Sequence, residues 1–572
     1  MGWPKWMLTG MLGIITGILP AQIHTVTGVV KDQPSGSSLS YVNIWITGTP
    51  LGTSSNADGA FEIKIPASLA TNDNTLSFSS IGYVTQRFPL ASLIQTTNIT
   101  VRLEPAITNL SELVIITARA RKKNANRARK LVQQALNKVP KNYPKKSYRL
   151  NTFYRHYCSE NNNYVRLIEA AVDVYSPKNE FDKREIPDER LSFGINQLRR
   201  SFDFTENAKI FHPAISLNFL WTNDFTDFAY HNPLSGPLLQ YQFQVIDTSN
   251  LGNEKVYVVD FEDNRPIGHR PQTWYQGRLY ILKKDLAFIK AEIEELKQKS
   301  GARDSVYSVI RKTVTFKNFK NKYFIDRLTS DVNVFHATVD SNSVVLDTLR
   351  HKSHIEMISN NIITDHPEEF FGKEPGKIDL RKILYDSTFW DQYTVLKATK
   401  LESKIIQDLS EKISLQQQFA AFNTVEGGGI SILESERFRK LLTDHSGKPL
   451  YVVLWSNWGH LNYLELEPIS YFKRMLKKDK VKLLLVAIEE NESDWMNNRK
   501  FYGLDNPMFS HERITLGFDS EIAQSYLNNV FPYFVSVTRD GEILSQEPPL
   551  PNAEEIKPYI KSLIQDNIIA DQ

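Results

Sequence analysis

Between Ile23 and Leu103, apolar and polar residues alternate in short runs. Thr25-Val26-Thr27-Gly28-Val29-Val30, Tyr41-Val42-Asn43-Ile44-Trp45-Ile46, Phe61-Glu62-Ile63-Lys64-Ile65 and Thr75-Leu76-Ser77-Phe78 each send every second side chain to one face. A period of two marks a half-buried strand. Asn56-Ala57-Asp58-Gly59 reads as a turn, because Gly59 tolerates positive φ and Asx side chains bond local backbone. About seven such strands predict a β-sandwich over residues 23–104.

The period then changes. Ala128, Leu131, Val132, Ala135, Leu136 and Val139 recur at helical spacing, and Pro140 and Pro144 end the stretch. From Arg119 to Lys130 there are seven basic residues and no acidic ones. Residues 105–147 therefore read as a basic linker and helix. Its charged face is either solvated or a peripheral contact with acidic membrane head groups.

Alternation returns over residues 148–365. Lys255-Val256-Tyr257-Val258-Val259-Asp260-Phe261, Gly277 to Leu282, Ala287 to Ile293 and Lys312 to Phe316 are examples, with a hairpin turn expected at Lys283-Lys284-Asp285. A long antiparallel run predicts a large curved sheet or open barrel. Its concave face would either hold an acyl chain or peptide or be filled by a helix. The aromatic residues Phe202, Phe204, Phe211, Phe219, Trp221, Phe225, Phe228 and Tyr230 offer either core or a lipid- or sugar-binding strip. Residues 366–429, with helical spacing from Leu401 to Phe422 and Gly427-Gly428-Gly429 as a joint, read as a helical linker.

The last segment, 430–572, changes class again. Leu450 to Trp455 and Val481 to Ile488 are near-continuous apolar runs, as expected for buried parallel strands. Tyr533 to Val537 and Glu542 to Leu544 flank the turn Thr538-Arg539-Asp540-Gly541, and a helix is expected from Ala553 to Ile564. The fold class is thus multidomain: an all-β sandwich, a strand-rich α+β curved sheet, then an α/β unit.

Three resemblances add to this reading. Gly28-Val29-Val30, Gly48 to Thr53, Asn56 to Phe61 and Ser80-Ile81-Gly82-Tyr83 resemble the carboxypeptidase regulatory-like (transthyretin-like) domain. That domain stands at the front of TonB-dependent receptors and other Gram-negative envelope proteins and carries no peptidase site. The strand–Trp455–loop–helix pattern, Phe531-Pro532-Tyr533 and the Asp540-Gly541 hairpin resemble the thioredoxin fold of periplasmic thiol-disulfide oxidoreductases. Where that family carries Trp-Cys-x-x-Cys, this chain has Trp458-Gly459-His460-Leu461-Asn462. The attacking species in disulfide exchange is a thiolate, and neither Gly459 nor Asn462 supplies one. The resemblance therefore implies a redox-inactive lobe whose groove beside Pro532 still contacts partners. Trp458, Gly459, His460, Asn462, Phe531 and Pro532 are the candidate partner-binding residues. The strand order of the middle segment also resembles the half-barrel of outer-membrane lipoprotein carriers.

Composition narrows the function. The 572 residues exceed a single core, and a net charge of +3 does not mark a nucleic-acid protein. Lys5, the apolar run Trp6 to Leu19 and Pro20-Ala21-Gln22 read as a signal peptide over residues 1–21, either cleaved or kept as an anchor. Cys158 is the single cysteine, which excludes an intramolecular disulfide, and it reads as a buried apolar residue in the strand-like stretch Phe153 to Cys158. His351 and His354 lack a third ligand and read as surface residues. No metal, cofactor or catalytic residue is expected.

The expected function is a non-catalytic protein of the periplasm or outer membrane that binds or scaffolds envelope proteins or peptides. Two alternatives stand beside it. One is a carrier or binder of lipid or glycan through the middle sheet. The other is a thioredoxin-family protein assisting thiol-disulfide exchange.

Overall fold

The computed structural model describes residues 23–96, 98–106, 118–177, 192–201, 234, 237–264, 273–300, 304–339, 345–368, 383, 385–410, 414–421, 436–456, 469, 481–488, 492–501, 504–505, 509–514, 533–545, 548–549 and 555–569. The expected signal peptide, the aromatic run Phe202 to Tyr230 and the Gly427 joint lie outside them.

The first strands are β1 (Ile23–Asp32), β2 (Asn43–Ile46), β3 (Gly52–Ser54), β4 (Ala60–Pro66), β5 (Thr75–Ser79), β6 (Gln86–Pro89) and β7 (Ile99–Leu103), with one helical turn, α1 (Leu90–Leu93). They make two sheets, ordered β4-β1-β7 and β3-β2-β5-β6. The alternation read in the sequence sends Val26, Val30, Ile44, Phe61, Ile63 and Phe78 into one core between them. Gly28 is required by proximity: a Cβ there would lie 2.2 Å from the Ile99 carbonyl oxygen. The predicted turn forms, with Asn56 Oδ1 accepting from the amides of Asp58 and Ala60 (2.9 Å each) and Gly59 at φ 77°.

The middle unit is one ten-stranded antiparallel sheet. Its strands are β8 (Tyr148–Glu160), β9 (Asn163–Ser176), β10 (Ser192–Arg200), β11 (Tyr241–Leu251), β12 (Glu254–Asp263), β13 (Thr273–Leu282), β14 (Phe288–Ser300), β15 (Asp304–Phe319), β16 (Lys322–Val339) and β17 (Val345–Ile363). The order β10-β9-β8-β17-β16-β15-β14-β13-β12-β11 joins the first and last strands and leaves β10 and β11 as edges.

Helix α2 (Ala118–Asn142) fills the inner face. Its Ala128, Val132, Ala135, Leu136 and Val139 share a core with residues from β8 through β17, including Phe193 on one edge strand and Phe243 on the other. Tyr143, just past the helix, donates to the Phe288 carbonyl at 2.7 Å. The stretch read as a linker and helix is therefore, from Ala128 to Val139, part of the middle core. Its i, i+4 apolar stripe needed a partner, and the curled sheet supplies it. Arg127 and Lys130 stay exposed.

The expected helical linker also proves to be packing material. Helices α3 (Ser387–Gln392), α4 (Lys400–Leu409) and α5 (Leu415–Ala421) cover the outer face of the sheet. Trp390 and Leu396 meet Phe153, Ala171 and Ile358, while Ile405, Leu409, Leu415 and Phe419 meet Leu167. The single helical run read from Leu401 to Phe422 is thus two helices. The first starts at a capping box, where Thr399 accepts from the Glu402 amide at 3.0 Å and Glu402 accepts from the Thr399 amide at 2.6 Å.

The C-terminal unit holds β18 (Leu450–Ser456), β19 (Lys482–Ile488), β20 (Ser510–Ile514), β21 (Tyr533–Val537) and β22 (Ile543–Ser545), ordered β20-β19-β18-β21-β22. The first three are parallel, and β21 runs antiparallel to β18. Both faces of β18 are buried. Tyr451, Val453 and Trp455 meet α8 (Ile556–Ile569) through Ile556 and Ile560, after α6 (Glu436–Asp444) and α7 (Glu492–Phe501) in the chain. Leu450, Val452 and Leu454 meet Phe438 and Leu442 of α6 on the other side. Burial on both faces explains the unbroken apolar run. The chain is strand-rich and built of several sheets and units, and no helix among the described residues is long and apolar enough to cross a membrane.

Candidate functional site

Trp458, Gly459, His460, Asn462, Phe531 and Pro532 lie outside the described residues. The described strand ends that flank them do adjoin: Tyr533 pairs with Leu454, two residues before the end of β18.

The described chemistry concentrates instead on the two faces of β8. Its period of two sends Tyr154, His156, Cys158 and Glu160 inward and Phe153, Arg155 and Tyr157 outward. Both faces are covered, so these side chains are buried, Tyr157 only partly.

On the inner face, beyond the part filled by α2, the sheet register brings polar groups together. Cys158 pairs with Arg166 of β9 and Ser353 of β17, and Glu160 pairs with His351. The Cys158 Sγ lies 3.2 Å from His156 Nε2 and accepts from Arg166 Nη2 at 3.2 Å. His156 Nε2 also lies 2.8 Å from Ser353 Oγ, and His351 Nδ1 is 3.8 Å from Glu160.

Burial would push the Cys158 thiol up, but the Arg166 charge, the His156 ring and hydrogen bonds from His156 and His351 hold it well below its ordinary value. Burial would likewise lower His351, yet Cys158 and Glu160 raise it to about 9. Cys158 is buried, as expected from sequence, at 1% exposure, but its neighbours are polar rather than apolar: the Arg166 guanidinium and the His156 ring favour the thiolate form. Such a sulfur is chemically a nucleophile, but its burial closes it to bulky substrates.

A direct expectation follows for the native chain. Ellman's reagent should leave Cys158 unreacted until urea unfolds the protein, while thiolate absorbance near 240 nm should already be present at neutral pH. The lowered thiol contributes stability that is present above its unfolded value and lost as pH falls through the folded one. Cys158→Ser should destabilise by about 1–3 kcal/mol, because Arg166 loses a buried charged acceptor. Rapid labelling of the native protein would refute this placement.

On the outer face, Arg155 is the hub. It is 4% exposed on its side chain and lies 2.6 Å from Glu169, 3.0 Å from Glu402 and 3.8 Å from Glu356, with a further bond of 2.8 Å to the Leu396 carbonyl. Glu169 also takes Arg199 at 2.6 Å, whose guanidinium lies 4.3 Å over the Trp390 ring. Burial would raise Glu169, but the Arg199 and Arg155 charges hold it below the carboxylate range. Glu402 is pushed up, first by burial and then by Glu356 and Glu169 against the pull of Arg155.

The cluster ties the sheet to the helical cover, and the same cover grips the sandwich. Asn56 Nδ2 donates to the Lys397 carbonyl at 2.8 Å, the Lys400 amide to Asp58 at 2.7 Å, and the Lys64 amide to Thr394 at 3.1 Å. The Gly82 amide donates to the Asn250 carbonyl at 2.7 Å on the β11 side.

His351 and His354 correct another expectation. They lie on the strand β17, so three residues apart means opposite faces. His351 joins the inner cluster, while His354 bonds Asp331 at 2.6 Å and stacks 5.0 Å from the Tyr157 ring. Both are buried or nearly so, because both faces of this strand are covered. Sequence reasoning missed Arg155, Glu169 and Glu402. The one available signal was a charge in the middle of the apolar stretch Phe153 to Cys158. Among the described residues, no group of three or more His, Cys, Asp or Glu could hold a metal ion.

Comparison with solved structures finds a thiol-disulfide oxidoreductase from Bacteroides fragilis, at 18% identity and a TM-score of 0.18, covering 21% of this chain and 82% of that one. A thioredoxin-like protein from Parabacteroides distasonis stands at 19% identity and a TM-score of 0.17, covering 20% of this chain and 81% of that one. Over 112 residues, or 20% of the chain, the sequence is 36% identical to TonB-dependent receptor P3 of Formosa agariphila, and it spans 10% of that receptor's length. Residues 26–115, the sandwich and the segment that follows it, match the family model described as the CarboxypepD_reg-like domain.

Proposed function

We propose that this chain is a non-catalytic protein of the bacterial cell envelope that binds or scaffolds other envelope proteins or peptides. The observation that carries the reading is the docking of the CarboxypepD_reg-like sandwich. Its turn residues Asn56 and Asp58 bond the backbone that covers the outer sheet face, so it forms one platform with the middle unit. The likeness of 20% of the chain to part of a TonB-dependent receptor, beside the CarboxypepD_reg-like match, supports an envelope or outer-membrane setting.

The C-terminal lobe fits a thioredoxin-like arrangement, since three parallel strands are followed by an antiparallel hairpin. Gly459 and Asn462 stand where its thiols would be, which supports partner contact through Trp458, His460, Phe531 and Pro532 over disulfide exchange. Arg127 and Lys130, exposed on α2, support a peripheral membrane contact through Arg119–Lys130. The lipid-carrier alternative loses ground, because α2 occupies the apolar part of the inner face.

Crosslinking and affinity capture from the native envelope tests the reading. The full chain should capture a defined set of envelope proteins, and a chain ending at residue 429 should lose part of that set. Reduction of insulin disulfides with dithiothreitol at a rate above the blank would overturn the non-catalytic assignment.

A further inference from the structure

A cleft of about 640 Å³ lies between the outer face of the sandwich and the outer face of the ten-stranded sheet. That volume falls within the range of small-molecule sites, about 300–1,000 Å³. Tyr41, Asn43 and Trp45 line one wall, and Arg278, Tyr280 and Arg327 line the other. Asn43 and Trp45 alternate with the core residues Ile44 and Ile46, so β2 turns both of them away from the sandwich core.

Two atoms of this lining are unsatisfied. Arg327 Nη1 and Asn43 Oδ1 are buried and have no hydrogen-bond partner among the described residues. Arg327 is only 4% exposed, and its guanidinium stacks 3.5 Å from the centre of the Tyr41 ring. A buried donor or acceptor left without a partner costs about 1–3 kcal/mol. Tyr41 adds backbone strain, with φ at 60°, a region a bulky aromatic residue rarely adopts. Backbone strain on one wall and an unmet polar atom on each are the marks of a surface shaped for something else.

The chemistry of the occupant follows from what is missing. One donor lacks an acceptor and one acceptor lacks a donor. Much of the wall charge is offset: Arg278 lies 2.6 Å from Asp260, Lys290 2.5 Å from Glu292 and Lys317 3.3 Å from Asp326, while Glu356, Asp326 and Asp331 act on Arg327. A neutral ligand is therefore favoured over an ion. Hydroxyls meet both needs, one oxygen accepting from Arg327 Nη1 and another donating to Asn43 Oδ1. The aromatic surfaces of Trp45 and Tyr280 suit the C–H face of a sugar ring. We propose that this cleft between the sandwich and the sheet binds a neutral saccharide, with Asn43 and Arg327 as polar anchors and Tyr41, Trp45 and Tyr280 as aromatic walls.

The site is independent of the protein-binding reading. The full chain is applied to a printed array of neutral di- and trisaccharides, and any bound sugar is then titrated by tryptophan fluorescence. At least one sugar should bind, and Trp45→Ala should weaken it about tenfold or more with an unchanged circular dichroism spectrum. Arg327→Met should do the same. Should its buried position unfold that variant, Trp45→Ala decides alone, because its side chain points away from the core. An array without any bound sugar, or Trp45→Ala binding as well as the native chain, overturns the proposal. Envelope capture run on the same Trp45→Ala protein separates the two readings: capture that persists while sugar binding is lost leaves the scaffold standing.

Discussion

Arg155→Met is expected to cost about 3–5 kcal/mol, the range for removing one partner of a buried ion network. The arginine is the hub for Glu169, Glu356 and Glu402, whose side chains are 6%, 2% and 7% exposed. Without it, Glu402 loses its ion-pair arginine, Glu356 is left with His354 and the more distant Arg327, and Glu169 with Arg199. The Leu396 carbonyl loses its donor as well. Because Lys397 and Lys400 in the same cover segment bond Asn56 and Asp58, loosening it should also free the sandwich.

Urea unfolding followed by tryptophan fluorescence should show an earlier transition. Limited proteolysis should cleave the variant around residues 393–400 faster than the native chain. Glu402→Gln is the milder control, at about 1–2 kcal/mol, because its amide oxygen still accepts one hydrogen bond. Replacing Arg155, Glu169 and Glu402 together with apolar residues should recover much of the loss, since a buried ion network is often no better than well-packed apolar side chains. A cost below about 1 kcal/mol for Arg155→Met would mean the cluster is solvated and does not hold the units together.

That cluster also shows what the sequence could and could not disclose. Alternation from Thr25 to Val30 and from Tyr41 to Ile46 foretold strands, because one face of each meets a core and the other meets solvent or another unit. Leu450 to Trp455 was legible for the opposite reason: both faces are apolar, so no alternation is left. The stripe from Ala128 to Val139 announced a helix but not its partner, which is assembled from ten strands.

The chemistry was hidden because it depends on register across long separations. Arg155 meets Glu402 at a separation of 247 residues, and His156 meets Ser353 at 197. A strand covered on both faces can carry buried charge on either one. The stretch Phe153 to Cys158 therefore gave no sign of which face was polar, or that both were. His351 and His354 were misjudged as surface residues because the sequence did not show that both faces of their strand are covered. The carboxypeptidase regulatory-like resemblance was carried by turn residues, Asn56 to Gly59, whose roles are local and therefore readable.

Raising the pH from about 7 to about 10 is expected to destabilise the middle unit through His354 and His351. Burial alone would lower the pKa of His354. Hydrogen bonds to Asp331 and Glu356 reverse this and raise it from 6.5 to about 10. His351 is raised to about 9 by Cys158 and Glu160 against its own burial. A histidine with a raised folded value gives stability that is complete below its unfolded pKa and is lost as pH climbs through the folded one. The window therefore opens near 6.5 and closes near 9 for His351 and 10 for His354.

In that window each histidine costs about 1.4 kcal/mol per pH unit. The Asp331 side chain is 52% exposed, so water screens part of its pull on His354. The realised loss from His354 should be nearer 2–3 kcal/mol, about half the unscreened figure. Acid works in the opposite direction on the partners. Asp331 and Glu356 are held low, first against burial and then chiefly by His354, and they lose their contribution as pH falls through their folded values. Urea midpoints measured from about pH 6 to about pH 10 should decline on the alkaline side. His354→Gln should start lower at neutral pH and decline less steeply, by close to one proton's worth of slope. Lysine titration affects both proteins alike, so the difference between the curves isolates His354. Parallel curves would show that the ring is neutral in the folded protein, and its contact with Asp331 would then be an ordinary hydrogen bond worth about 1 kcal/mol at any pH in that range.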